Sequence, residues 1–152
     1  SRRMKLKEKS VSRTLYIVRG APGSGKSHLA NTLAPGNAMS ADDWFYQEAA
    51  KQKTTYEKVW SAQHLVLAHS WCLDQVIQRL HAGYSKVAVA NLFKDPAHMK
   101  PYLAAAIQRR YTPFVIRCDN NFGNVHGVAK EAVDRIRKGL QRCDHVNTLK
   151  CV

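Results

Sequence analysis

The sequence predicts an α/β fold in which a small four-stranded parallel sheet is flanked by helices. Three observations carry the prediction. Four short apolar runs recur along the chain, each followed by a segment with helical spacing, and that alternation builds parallel sheets. The first run leads straight into a glycine-rich loop that opens a helix. The length, 152 residues, suits a single domain with one buried core.

Each element follows from local chemistry. Residues 1–13, SRRMKLKEKSVSR, hold six basic residues against one acid and read as a disordered basic arm, with residues 14–152 as one domain. Residues 14–19 form the first strand, with Tyr16, Ile17 and Val18 at its buried centre. A helix over 26–33 stops before Pro35, APGN makes a turn, and AMS at 38–40 is a short second strand ending in ADDW. Residues 45–56 are polar and read as a loop or a loose helical turn. From Glu57 to His81 the pattern is helical, with Leu65, Ala68, Cys72, Leu73, Val76 and Leu80 on one face and Gly83 as the cap. KVAVA (86–90) is the third strand. Pro96 opens a helix over 97–109 that takes Pro101 in its first turns. TPFVIR (112–117) is the fourth strand, a loop spans 118–127, and a last helix runs from 129 to 142. In parallel sheets ligands bind beyond the carboxyl ends of the strands. The candidate site is therefore built from 20–27, 41–45, 91–95 and 118–127.

The loop after the first strand fits G-x-x-x-x-G-K-[ST] in full: Gly20, Ala21, Pro22, Gly23, Ser24, Gly25, Lys26 and Ser27, with His28 next in the helix. Glycine lets successive backbone N–H groups close around an anion, and the helix that follows adds unpaired donors and partial positive charge. Lys26 is placed for the β- and γ-phosphates, and the Ser27 hydroxyl for Mg²⁺. The strand before the motif and the helix after it supply the context it needs. This predicts a nucleoside-triphosphate site taking ATP with Mg²⁺.

Charge narrows the partner. The formal net charge is +13, and it is concentrated at the two ends of the chain. A polyanion, RNA or DNA, is the natural partner for such a surface. The four cysteines form no C-x-x-C pair and the histidines have no ligand spacing, so reduced thiols in a cytoplasmic or nuclear compartment are expected and no zinc site. No run of eighteen apolar residues exists, which argues against a membrane partner.

Three further segments carry candidate chemistry. Asp42 and Asp43 stand where the second strand ends. One of them suits a base for an acceptor hydroxyl, though aspartate there also suits a helix N-cap. Trp44 beside them is placed either to stack on a substrate base or to pack as a half-buried aromatic. Asn91 ends the third strand, where it reads either as a holder of the metal's water shell, with Asp43, or as a turn residue. On the last helix Arg135, Lys138 and Arg142 form a stripe, either a solvated face or a clamp for phosphates, and Arg109 and Arg110 add to the field.

RGAPGSGKS, SADDWF, LAHSWC, HMKPYL and FGNVHGV occur in this order between Thr14 and Leu140. Together they resemble the polynucleotide-kinase-like P-loop kinases, the group of the phage polynucleotide kinase and the Nedd-binding-protein type of kinase domain. The resemblance implies transfer of the γ-phosphate of ATP to a 5′-hydroxyl of RNA or DNA. By motif position it makes Asp42 the general base and Lys26 and Ser27 the phosphate and metal contacts. Residues 124–128 match the lid, which puts Asn124 near the nucleotide. The family pattern has an arginine three residues beyond the base, where this chain has Phe45, and Asp-Thr-Asn where it has Asn91, Leu92 and Phe93. The lid arginine has no counterpart within FGNVHGV, and Arg135 or Arg137 is the substitute at hand. The leading expectation is therefore a 5′-hydroxyl polynucleotide kinase, within a larger protein or alone. A nucleotide-dependent nucleic-acid-binding NTPase is the second reading, and a small-molecule kinase the third, which the charge disfavours.

Overall fold

In the computed structural model, whose described residues are 12–120, 130–142 and 148–151, the four expected strands are present. They are β1 (Thr14–Gly20), β2 (Ala38–Met39), β3 (Lys86–Asn91) and β4 (Thr112–Cys118). A fifth, β5 (Thr148–Cys151), extends the sheet at one edge, so that the order is β2-β3-β1-β4-β5 with every pair parallel. Four residues at an edge carry too little pattern for sequence to single out.

The helices are α1 (Lys26–Leu33), α2 (Ala41–Gln52), α3 (Tyr56–Val59), α4 (Ala62–Ala82), α5 (Lys100–Gln108) and α6 (Lys130–Arg142), with a 3-10 turn over Pro96–Met99 before α5. Successive strand residues face opposite sides. Leu15, Ile17, Val87, Val89 and Val115 pack in one core with α2, α4 and α5. Val18, Ala88, Ala90 and Cys118 form a smaller one with Ala30 and Ala34 of the α1 segment.

Two sequence expectations change. Residues 45–56 are not a loop: α2 runs through Gln52, burying Ala41, Phe45 and Ala49 at a spacing of four. Small residues make that stripe narrow, and its polar flanks hide it. The helix expected over 57–81 is also interrupted. Thr55 caps α3, Trp60 turns extended, and the Ser61 hydroxyl accepts from His64 N at 3.0 Å to start α4 afresh. Two hydroxyl caps within seven residues favour two helices over one. Gly83 caps α4 with φ 84°, as its sequence position implies. Pro101 sits in the first turn of α5, where its missing N–H costs nothing.

Candidate phosphate-binding loop and its acid neighbour

β1 is flanked by β3 and β4, so its carboxyl end opens between the segments that leave both neighbours. The glycine-rich loop lies there. Gly20 pairs with Cys118 of β4, and a Cβ on Gly20 would lie 2.3 Å from Ser24 Oγ and 2.9 Å from the Cys118 carbonyl oxygen. Only glycine lets the loop fold this close to its own strand. Ser24 N donates to Ala21 O at 3.1 Å, and Gly23 and Gly25 take φ of 78° and 86°. Gly25 is also the N-cap of α1. No side chain caps that helix, and its first turn contains no acid, so its N-terminal donors face the loop.

Lys26 is partly buried, and its Nζ reaches back to Ala21 O at 3.4 Å. Burial pulls its pKa below the ordinary 10.5, while the nearby Asp42 and Cys118 oppose that pull. Ala21 and Ser24 are buried, Pro22, Gly23 and Gly25 partly so, and Ser27 and His28 are exposed at the mouth of α1.

Asp42 and Asp43 separate into different environments. Ser40 is the N-cap of α2; its hydroxyl accepts from Asp42 N at 3.1 Å, and Asp43 Oδ2 accepts from Ser40 N at 2.9 Å. Asp43 is thus engaged in a capping box. Burial raises its pKa, with the Ser40 N–H lowering it and Asp42 raising it further. Asp42 instead accepts from the Tyr56 hydroxyl, at 2.5 Å on Oδ1. Burial first, then this hydrogen bond, pushes the Tyr56 phenol far above its usual range, so it stays protonated and donates. Its ring is wedged 5.1 Å from both Phe45 and Tyr46. Trp44 is half-buried, edge-on to Phe45 at 5.2 Å and tilted on His64 at 5.5 Å.

Asn91 is buried at the end of β3. Its Oδ1 accepts from Ala41 N at 2.8 Å and its Nδ2 points to Cys72 Sγ at 3.6 Å, tying the start of α2 to the sheet. In the same register row lie Arg19 of β1 and Arg117 of β4, both buried. Arg19 donates to Phe93 O at 2.6 Å, and Arg117 grips Asp119 through two hydrogen bonds of 2.9 and 3.1 Å. These arginines were not singled out in the sequence, where each looks like the polar end of an apolar strand. Arg135 is exposed on α6. Asn124 and the lid segment lie outside the described residues.

The loop fits a triphosphate: an uncapped helix end, backbone close enough to exclude a methyl group, and a lysine whose charge is costly until an anion joins it. Among the described residues no group of three or more His, Cys, Asp or Glu side chains is placed to hold a metal. Ser27, exposed at the start of α1, is the residue that would hold a Mg²⁺ there, an ion that usually keeps phosphate oxygens and water among its ligands.

The AAA domain family profile matches residues 15–121, which span β1 through the end of β4. The chain belongs to this family. It is 30% identical over 145 residues to human NEDD4-binding protein 2, an alignment covering 87% of this chain and 8% of that protein, so the chain corresponds to a small part of its length. A solved candidate kinase from Chloroflexus aurantiacus matches with a TM-score of 0.58 and 21% identity over 72% of this chain and 60% of its own. The Deinococcus radiodurans tunicamycin resistance protein matches with a TM-score of 0.55 and 15% identity over 91% and 86%. The fold is the P-loop kinase fold that these structures share. Among the described residues no helix is long and apolar enough to cross a membrane.

Proposed function

We propose that this domain transfers the γ-phosphate of ATP to the 5′-hydroxyl end of a polynucleotide. The observation that carries the reading is the placement of the glycine-rich loop with Lys26 beyond the carboxyl end of β1 and of Asp42, held by the Tyr56 hydroxyl, beyond that of β2, on the same edge of the sheet. Bound ATP with Mg²⁺ supplies the phosphoryl group and spreads its negative charge. The loop N–H groups and Lys26 Nζ stabilise charge on the phosphate oxygens. Tyr56 holds Oδ1 of Asp42, which leaves Oδ2 to take the acceptor's proton. The acceptor oxygen bonds to the γ-phosphorus, the bridging bond to the β-phosphate breaks, and ADP leaves. The charge of +13 favours a polynucleotide over a small alcohol.

A second reading has its own observation. Phe45, at the place of the family arginine, is wholly buried and unavailable to an acceptor phosphate. That favours a nucleic-acid-binding NTPase with little transfer. One experiment separates the two: γ-labelled ATP, Mg²⁺ and 5′-hydroxyl RNA and DNA oligonucleotides, with Lys26→Ala and Asp42→Asn alongside. Label on the oligonucleotide, absent from both variants, is the expected result. Free phosphate alone would establish the NTPase, and transfer retained in Asp42→Asn would remove Asp42 from the base role.

A further inference from the structure

We infer that a cavity of about 480 Å³ between the exit of β3 and α6 takes the phosphodiester backbone of the acceptor strand. The inference rests on the polynucleotide reading and gives the strand a path. The cavity is lined by Lys94, Arg135 and Lys138, with Ala132, Ile136 and Gly139 as an apolar floor. All three cations are exposed, and among the described residues no acid lines the space. Asp95, the acid nearest in sequence to Lys94, is turned away, its Oδ1 accepting from Ala97 N at 2.8 Å. Cations over an apolar floor match the two parts of a nucleic-acid strand, phosphates and the sugar–base bodies between them.

Placement selects the acceptor rather than ATP. Across the carboxyl edge of the sheet the order is Asp42 beyond β2, Lys94 beyond β3, the phosphate loop beyond β1, and α6 in the chain after β4. A strand with its hydroxyl at Asp42 that runs back toward α6 must pass Lys94 and cross in front of the loop. Lys94 is also held in place. Arg19 grips the carbonyl of Phe93, whose φ of 47° is one that non-glycine residues rarely adopt, and the Phe93 ring stands edge-on to Tyr102 at 5.5 Å. Strain of this kind persists where the surroundings enforce it and gathers at binding sites. On α6, Ala132, Ile136 and Gly139 recur at helical spacing, and a Cβ added at Gly139 meets, beyond its chain neighbours and its own helix backbone, no atom of the described residues within 4 Å. The floor is open beside Ile136 because Ala132 and Gly139 carry little or no side chain.

The test is binding without turnover. A 5′-hydroxyl oligonucleotide with a 3′-fluorophore, as RNA and as DNA, is titrated by anisotropy over a series of NaCl concentrations. The proteins are the wild type, Lys94→Glu with Lys138→Glu, and Gly139→Phe, which fills the cavity without changing charge. A fluorescent ATP analogue reports the nucleotide site and the integrity of each variant. Removing two phosphate contacts should flatten the slope of log K against log salt by about 1.4 and weaken binding at least tenfold. Gly139→Phe should weaken it comparably, and nucleotide affinity should hold in both. Unchanged oligonucleotide binding in both variants overturns the inference. So does a loss of nucleotide affinity, which would make the cavity part of the ATP site. A wild type that binds no oligonucleotide overturns it too, while the phosphotransferase reading then stands or falls on other acceptors. Binding that needs the cavity, with no transfer to the strand, keeps this inference and sinks only the kinase.

Discussion

Replacing Gly20 with alanine asks whether the loop must lie as close to its strand as it does. The new Cβ would stand 2.3 Å from Ser24 Oγ, 3.1 Å from Ser24 Cβ and 2.9 Å from the Cys118 carbonyl. Ordinary carbon contacts begin near about 3.5 Å, so at least one partner must move. Neither moves easily: Ser24 is fully buried, and the Cys118 carbonyl belongs to a strand beside the central one. Overpacking of this kind costs about 1–3 kcal/mol. For a chain of this length a loss of ~2 kcal/mol lowers Tm by roughly 4–8 °C. The loop is the element that yields, so affinity for a fluorescent ATP analogue should fall at least ~10-fold, since each ~1.4 kcal/mol is a decade. Adding Ser24→Ala removes the shortest contact and should recover part of both losses. Full affinity with an unchanged melting temperature would refute the close approach and the anion cradle built on it.

Tyr56→Phe keeps the ring against Phe45 and Tyr46 but removes the donor to Asp42. A hydrogen bond to a charged group is worth about 1.5–3 kcal/mol, and partial exposure puts this one at the low end. In a urea-unfolding cycle with Asp42→Asn, the two losses should be less than additive by ~0.5 kcal/mol or more; strict additivity would mean that the bond does not form in solution. Lys26 makes a pH prediction. Its folded pKa lies below 10.5, so between those two values the unfolded chain holds more protons and stability rises with pH. Below the folded value the whole cost of burying the ammonium is present. Bound phosphates restore the charged form, so ATP binding in that window should take up a proton. Calorimetry in buffers of different ionisation enthalpy should detect the uptake, and Lys26→Met should abolish it.

The phosphate loop was legible because its chemistry is local: a strand, an exact spacing of glycines, a lysine and a helix follow one another within fifteen residues. The four main strands were legible through their apolar runs. α2 was not, because Ala41 and Ala49 contribute little hydrophobic signal and Phe45 alone could not mark a face. Ser40 and Asp43 did carry a signal, serine followed three residues later by an acid, which marks a helix start. It would have assigned Asp43 to the cap and left Asp42 for chemistry. The long-range pairs were beyond reach. Nothing local tells that Tyr56 meets Asp42, that Asn91 receives the N–H of Ala41, or that Arg19 and Arg117 sit side by side in the sheet. Such pairs depend on strand order, which a single sequence does not carry.

Two helices begin near the same edge of the sheet, and the chain treats their starts in opposite ways. At α2 the first three N–H groups are answered from within: Asn91 Oδ1 takes that of Ala41, Ser40 Oγ that of Asp42, and Ser40 O that of Asp43. Asp42 and Asp43 add negative charge to that first turn. At α1 there is no capping side chain and no acid. An incoming polyanion therefore meets one attractive dipole and one that has been silenced. Were both left open, a triphosphate would have two competing berths, and its terminal phosphate would have no single address. By spending a serine, an aspartate and an asparagine on the wrong berth, the fold directs the anion to the other.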